Sequence, residues 1–301
     1  MTADPTGHRF RLRGPHSTAE IAQVGAALRA LTVDGVDLVP RYADDVPTPA
    51  ASGVVLVPWP NRIRDGKYSF GGVERQLSIS EPALGNASHG LLRFGAYTAL
   101  ETSDERVVLG ADVVPQTGYL FHLRTRVTFT LLADGLHVVH DIENVGAETA
   151  PVALGVHPYL QIGGVPTVDL VIRSSGTSTL VLDERKLPID EVPVDDATDL
   201  RTGRRLGDVA LDNAYRGLER DAEGRARHTL TAPDGRRVEL WQDAGFEWAQ
   251  VFTTDRYPGN PLAVAIEPMT APANAFATGV GLLSLEPGEE IRREWGITYR
   301  G

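Results

Sequence analysis

The stretch Phe121-His122-Leu123-Arg124-Thr125-Arg126-Val127-Thr128-Phe129-Thr130-Leu131 decides the fold class. Its odd positions are apolar apart from Thr125, and its even positions are all polar. Successive side chains of a strand point to opposite faces, so this reads as a strand with one wet face. Asp134-Gly135 follows, and Leu136, Val138, His140 and Ile142 resume the alternation. Asp-Gly between alternating runs predicts a hairpin whose glycine takes up the positive φ of a tight turn. The dipeptide recurs at 34–35, 65–66 and 234–235, and Gly71-Gly72 is a similar turn. Near the C-terminus Ile291, Arg293, Trp295, Ile297 and Tyr299 alternate again. Dense turns and two-residue periodicity predict an all-β protein, a large antiparallel β-sandwich with little helix.

One segment points elsewhere. Ser17-Thr18-Ala19-Glu20 has the form of a capping box, and Ile21, Val24, Leu28 and Leu31 have near-helical spacing. A short helix over 17–31 therefore competes with a hairpin about Asp34-Gly35, and Gly25 weakens the helix. No linker divides the chain, which reads as a single domain over 1–301 with 1–15 as a flexible N-terminus. Residues 183–212, rich in acid, Pro and Gly, read either as a boundary or as a long surface excursion.

Composition excludes several functions. The 301 residues include no cysteine, so thiol catalysis, disulfides and Cys-based metal sites are ruled out. The net charge of −11 argues against a nucleic-acid partner, because phosphate-backbone affinity needs clustered Lys and Arg. No run approaches the ~18 apolar residues of a membrane span. Met1 to Gly14 lacks the apolar stretch of a signal peptide, so a cytoplasmic location is expected.

The candidate chemistry lies in short irregular segments. His157, in Gly155-Val156-His157-Pro158-Tyr159, follows an apolar stretch at a point where Pro158 ends regular pairing. His89, in Ser88-His89-Gly90, sits beside a residue that permits close approach. Glu267 closes the apolar run Leu262–Ile266 and meets Pro268, a setting that desolvates a carboxylate and raises its pKa. Pro58-Trp59-Pro60-Asn61-Arg62-Ile63 is rigid irregular backbone; its amide and guanidinium are suited to holding hydroxyls, and Trp59 can offer an apolar face. Asp212 reads on its own as a loop acid. His137 and His140, three apart on a strand, should face opposite sides and not share a metal ion. Read separately, each residue has an ordinary structural explanation as well.

Together the segments resemble the aldose 1-epimerase (galactose mutarotase) family. Asn61-Arg62-Ile63 with Asp65-Gly66, His89-Gly90, Asn144-Val145-Gly146 through Pro151 to His157-Pro158-Tyr159, Asp212, Ile266-Glu267-Pro268 and Leu285-Glu286-Pro287-Gly288-Glu289 follow the family's order over roughly residues 20 to 299. The resemblance implies a supersandwich fold and exchange of the α and β anomers of a free aldose, with no cofactor and no metal. It implies Glu267 as general base, His157 as general acid, and Arg62, His89, Asp212 and Asn61 as sugar-binding residues. The implied partner is a monosaccharide, bound by a monomer or homodimer. Two alternatives stay open: a sugar-phosphate 1-epimerase, for which Arg204-Arg205 or Arg236-Arg237 could supply cations, and a non-catalytic carbohydrate-binding protein. The segment after His157-Pro158-Tyr159, Leu160-Gln161-Ile162, departs from many relatives and leaves the preferred aldose open.

Overall fold

A computed structural model describes residues 4–301. Two large sheets dominate it, and every strand pairing within them is antiparallel. The nine-stranded sheet runs in the order Thr98–Thr102, Arg106–Val113, Leu123–Leu132, Gly135–Asn144, Glu290–Arg300, Arg237–Gln242, Ala226–Thr231, Val171–Arg173, Arg204–Arg205. The second sheet runs Pro188–Pro193, Ser178–Leu182, Asp212–Arg216, Trp248–Thr254, Ala263–Met269, Gly155–Val156, Val55–Leu56; Tyr159–Leu160 also pairs with Ala263–Met269. Among the described residues helix is confined to a few single turns, such as Ala275–Thr278.

The alternation around residue 125 sets the first sheet. Leu123, Thr125, Val127, Phe129 and Leu131 are buried, while Arg124 and Arg126 are exposed. On the second sheet Val251, Val264 and Ile266 point to the same side as one another and join Val127 and Phe129 in a shared apolar core. Each such fully buried side chain contributes roughly 1.5–3 kcal/mol.

Several expectations need correcting. Ser17–Ala22 and Leu28–Val33 are paired strands, not a helix. The Ser17 hydroxyl donates to the Leu132 carbonyl instead of capping a helix, and Gly25 and Ala26 turn the chain with positive φ. Arg9–Arg13, inside the terminus expected to be flexible, is a strand paired with Thr18–Ala22, with Leu12 in the core. Asp34-Gly35 and Gly71-Gly72 do take positive φ in hairpins, closed by the Val33–Val36 and Phe70–Val73 pairs. Asp65-Gly66 takes the same conformation, but its flanking strands pair elsewhere, Arg62–Arg64 with Asn86–Ser88 and Lys67–Phe70 with Val73–Gln76. Gly135 has no positive φ; its hairpin turns at Ala133-Asp134, inside the Leu132–Gly135 pair. Glycine is needed there because a Cβ would run into the Ile297 carbonyl of the adjacent strand.

Candidate active site

The strand Ala263–Met269 is buried on both faces, as its continuous apolar run requires. Val264 and Ile266 enter the main core, so Ala265 and Glu267 face the other way. Gln250 lies directly opposite Glu267 on the neighbouring strand. Asp212 lies opposite Phe252, two residues beyond Gln250, and so shares that outer face. Glu267, Gln250 and Asp212 thus stand on three successive strands.

His157 meets this row from the side. Pro158 interrupts the pairing between Gly155–Val156 and Tyr159–Leu160, and His157 fills the break. Its N–H donates to the Val54 carbonyl and its carbonyl accepts from Gly53 N–H. The ring stacks on Tyr159, with centroids 5.3 Å apart, and its Nε2 lies 3.2 Å from Glu267 Oε1. Both side chains are almost wholly buried. Burial pushes the Glu267 carboxyl well above the usual range; nearby Asp212 adds to this and Arg62 opposes it. Burial likewise depresses His157 to about 3, helped by Arg93 and Arg62. Carboxylic acid with neutral imidazole, and carboxylate with imidazolium, contain the same number of protons. The pair therefore titrates as a unit, and its one-proton state takes in both arrangements.

His89 stands edge-on to His157, with centroids 5.7 Å apart. It and Asn61 both have positive φ and are joined twice: His89 N–H donates to the Asn61 carbonyl, and Asn61 N–H donates to His89 Nδ1. An Nδ1 that accepts leaves the proton of the neutral ring on Nε2, as an available donor. Burial, and then the neighbouring His157, holds the His89 pKa well below its usual value. Arg62 is clamped by Glu81 through Nε at 2.8 Å and Nη2 at 2.9 Å, and its Nη1 lies 3.4 Å from Asn61 Oδ1. Burial works to raise the Glu81 carboxyl, but the Arg62 hydrogen bonds and charge outweigh it and leave Glu81 ionised. Asp212 accepts from Gln250 Nε2 at 2.9 Å and meets Lys186 Nζ at 3.2 Å.

Apart from Tyr159 and Lys186, these side chains line one cleft of about 400 Å³, bounded also by Phe252, Arg93 and Arg256. All six candidates from the sequence, Glu267, His157, Arg62, His89, Asp212 and Asn61, are on its wall. Trp59 is not; it packs in the core edge-on against Phe276. The arginine pairs lie elsewhere: Arg205 meets Asp169 and Asp208, Arg236 meets Asp234, and Arg237 meets Glu239. His137 and His140 are separate, the first on Glu294 and the second buried against Trp295. Among the described residues no group of three or more His, Asp or Glu is placed to hold a metal ion, and no helix is long and apolar enough to cross a membrane.

Glu81, Gln250, Arg93 and Lys186 escaped the sequence reading. Gln250 has a signal in retrospect, its register opposite Glu267, but that requires knowing which strands pair.

Known proteins share the chain's sequence pattern and its fold. The family model for aldose 1-epimerase matches residues 8–298. The uncharacterized protein YihR of Escherichia coli (strain K12) is 34% identical over 296 residues, covering 97% of this chain and 93% of that protein. Two solved structures share the fold. A galactose mutarotase-like protein from Clostridium acetobutylicum has a TM-score of 0.86 at 18% identity, over 97% of this chain and 94% of that one. The GalM/aldose epimerase homologue from C. elegans has a TM-score of 0.85 at 18% identity, over 97% and 98%.

Proposed function

Because this chain belongs to the aldose 1-epimerase family, we propose that it interconverts the α and β anomers of a free aldose by acid–base ring opening. The observation that carries the proposal is the buried contact of 3.2 Å between His157 Nε2 and Glu267 Oε1 on the cleft wall. Ring opening takes a proton from the C1 hydroxyl and delivers one to the ring oxygen. Glu267 as carboxylate accepts the first, and His157 as imidazolium supplies the second. The pair passes from carboxylate–imidazolium to carboxylic acid–imidazole with no proton exchanged with solvent, and closure on the other face of the carbonyl reverses it. Burial favours the second arrangement, so the open-chain sugar meets the pair in its more stable form.

The remaining groups complement this chemistry. The His89 Nε2 proton and the clamped Arg62 guanidinium are donors for sugar oxygens, and Asp212 is an acceptor. Asn61 holds His89 through its backbone and adds a side-chain amide at the wall. The sugar would then lie between Glu267 and Asp212, whose backbones are two strand spacings and two residues apart, roughly 12 Å.

Exchange NMR between α and β anomeric protons over a panel of aldoses tests the proposal. Enhanced exchange on at least one free aldose is expected. Glu267→Gln should lower it by about 10²–10⁴-fold while the sugar still binds. No enhancement on any aldose would sink the proposal. A sugar-phosphate 1-epimerase is the second reading, favoured by Arg93 and Arg256 on the wall; hexose 6-phosphates in the panel decide between the two.

A further inference from the structure

Residues 183–187 form the turn between the strands Ser178–Leu182 and Pro188–Pro193, and the turn is elaborately held. Asp183 Oδ1 accepts from the N–H groups of Arg185 and Leu187, and its Oδ2 accepts from Arg64. Arg185 donates to the carbonyls of Leu84 and Gly85 and to Asp65. Asn86 donates both to the Arg185 carbonyl and to Glu81, the residue that clamps Arg62. Amid these ties Lys186 adopts φ +63°, the left-handed region that favours glycine. Its ammonium lies 3.2 Å from Asp212 Oδ2.

Stability does not account for a lysine at this position. Lys186 is half exposed, and an ion pair in that setting contributes little. Glycine would hold the turn with less backbone strain. What lysine adds is a cation beside a carboxylate whose other oxygen is already oriented by Gln250. A hydroxyl can donate to a carboxylate and accept from an ammonium at once, so an adjacent Asp–Lys pair makes a complete site for one sugar hydroxyl. Glu267, Gln250 and Asp212 follow one another across the sheet on the cleft wall, and Lys186 reaches Asp212 from the turn beside it, on the side away from Glu267.

We propose that Lys186 is a substrate-recognition residue, forming with Asp212 a donor–acceptor site for a sugar hydroxyl remote from C1. The inference rests on the reading of the cleft as an aldose site. It gives part of the 183–212 excursion a task, setting a cation beside the cleft carboxylate of Asp212.

The test measures saturation-transfer-difference binding and anomer exchange on the same samples, for wild type, Lys186→Met and Lys186→Gly, with the aldose that wild type binds best. Both variants should weaken sugar binding and raise KM about tenfold or more, the cost of a lost hydrogen bond to a charged group. The change in kcat should be much smaller. Lys186→Gly should unfold at the wild-type temperature or above it, which a structural role would not allow. Among monodeoxy analogues, the one lacking the recognised hydroxyl should be insensitive to both substitutions. Unchanged binding in both variants, or tighter binding, overturns the assignment and leaves the exchange reading intact. Exchange absent from a wild-type protein that binds the sugar overturns the exchange reading, and the affinities alone then decide Lys186. Absence of aldose binding by wild type overturns both.

Discussion

Burial drives the carboxyl of Glu267 and the imidazole of His157 toward their neutral forms, and it does so in opposite directions on the pH axis. Glu267 keeps its proton well above the usual range, and His157 refuses one until about pH 3. The state holding one proton between them therefore spans a wider window than the gap between the ordinary values of 4.5 and 6.5. If anomer exchange needs that one-proton state, kcat/KM should show no acid limb as pH falls through 6.5 to about pH 5, because His157 takes up no proton there. An acid limb with a midpoint near that of a free histidine would show that His157 titrates independently, and would refute the one-proton account. The two members were legible in the sequence as a His held at a strand end by Pro158 and a Glu desolvated after an apolar run. Their contact was not, since it depends on the pairing of Tyr159–Leu160 with Ala263–Met269. Lys186 had no signal at all. Its position depends on a left-handed turn and on Asp212, a residue on another strand.

Elements deliver these groups to the cleft, and the segment Ser88–Arg93 carries two of them, His89 and Arg93. It lies against Val57, whose carbonyl accepts from the N–H groups of Leu91 and Leu92. Gly90 has φ +73°, and a Cβ there would collide with the Val57 backbone. Gly72 has nearly the same φ, +76°, at a hairpin tip with nothing nearby. Gly90→Ala should therefore destabilise the protein by about 2 kcal/mol or more and raise KM by displacing His89, whereas Gly72→Ala should cost less and leave KM alone. Denaturant unfolding and exchange kinetics on the two variants check this; equal effects would show that φ alone matters at Gly90. The strands themselves were largely readable where one face is wet, as in Leu123–Leu132. The segment 17–31 was ambiguous because a capping-box sequence and helical spacing coincide with two strands. Tertiary partners decided it: Ser17 bonds Leu132, and the strands take a place over the core. The same limit explains Gly135, which looked like a turn glycine and is in fact a contact glycine.

The whole molecule encloses histidines outside the cleft, and they contribute to how it responds to acid. His140 accepts a hydrogen bond from the Trp295 indole N–H at 2.9 Å, which requires a neutral ring. His228 lies between Ser174 and Gln242, in contact at 2.9 and 3.2 Å. Burial holds His140 down to about 3; it holds His228 down to about 4 despite the opposing hydrogen bond to Gln242. In the unfolded chain both rings return to about 6.5. The folded state thus binds these protons more weakly than the unfolded state, and unfolding takes them up. Stability accordingly falls as pH drops through 6.5, and goes on falling until the folded-state values near 4 and 3 are reached. At about pH 5 each ring should have cost about 2 kcal/mol relative to neutral pH. Denaturant unfolding at several pH values, for wild type, His140→Gln and His228→Gln, measures this directly. Each substitution changes the absolute stability for its own reasons, so the slope is the informative quantity. The loss between about pH 7 and about pH 5 should shrink by about 2 kcal/mol in each variant. An unchanged slope would mean that these rings take up protons in the folded protein at the same pH as in the unfolded chain, and the hydrogen bond from Trp295 to His140 would then be lost by about pH 5.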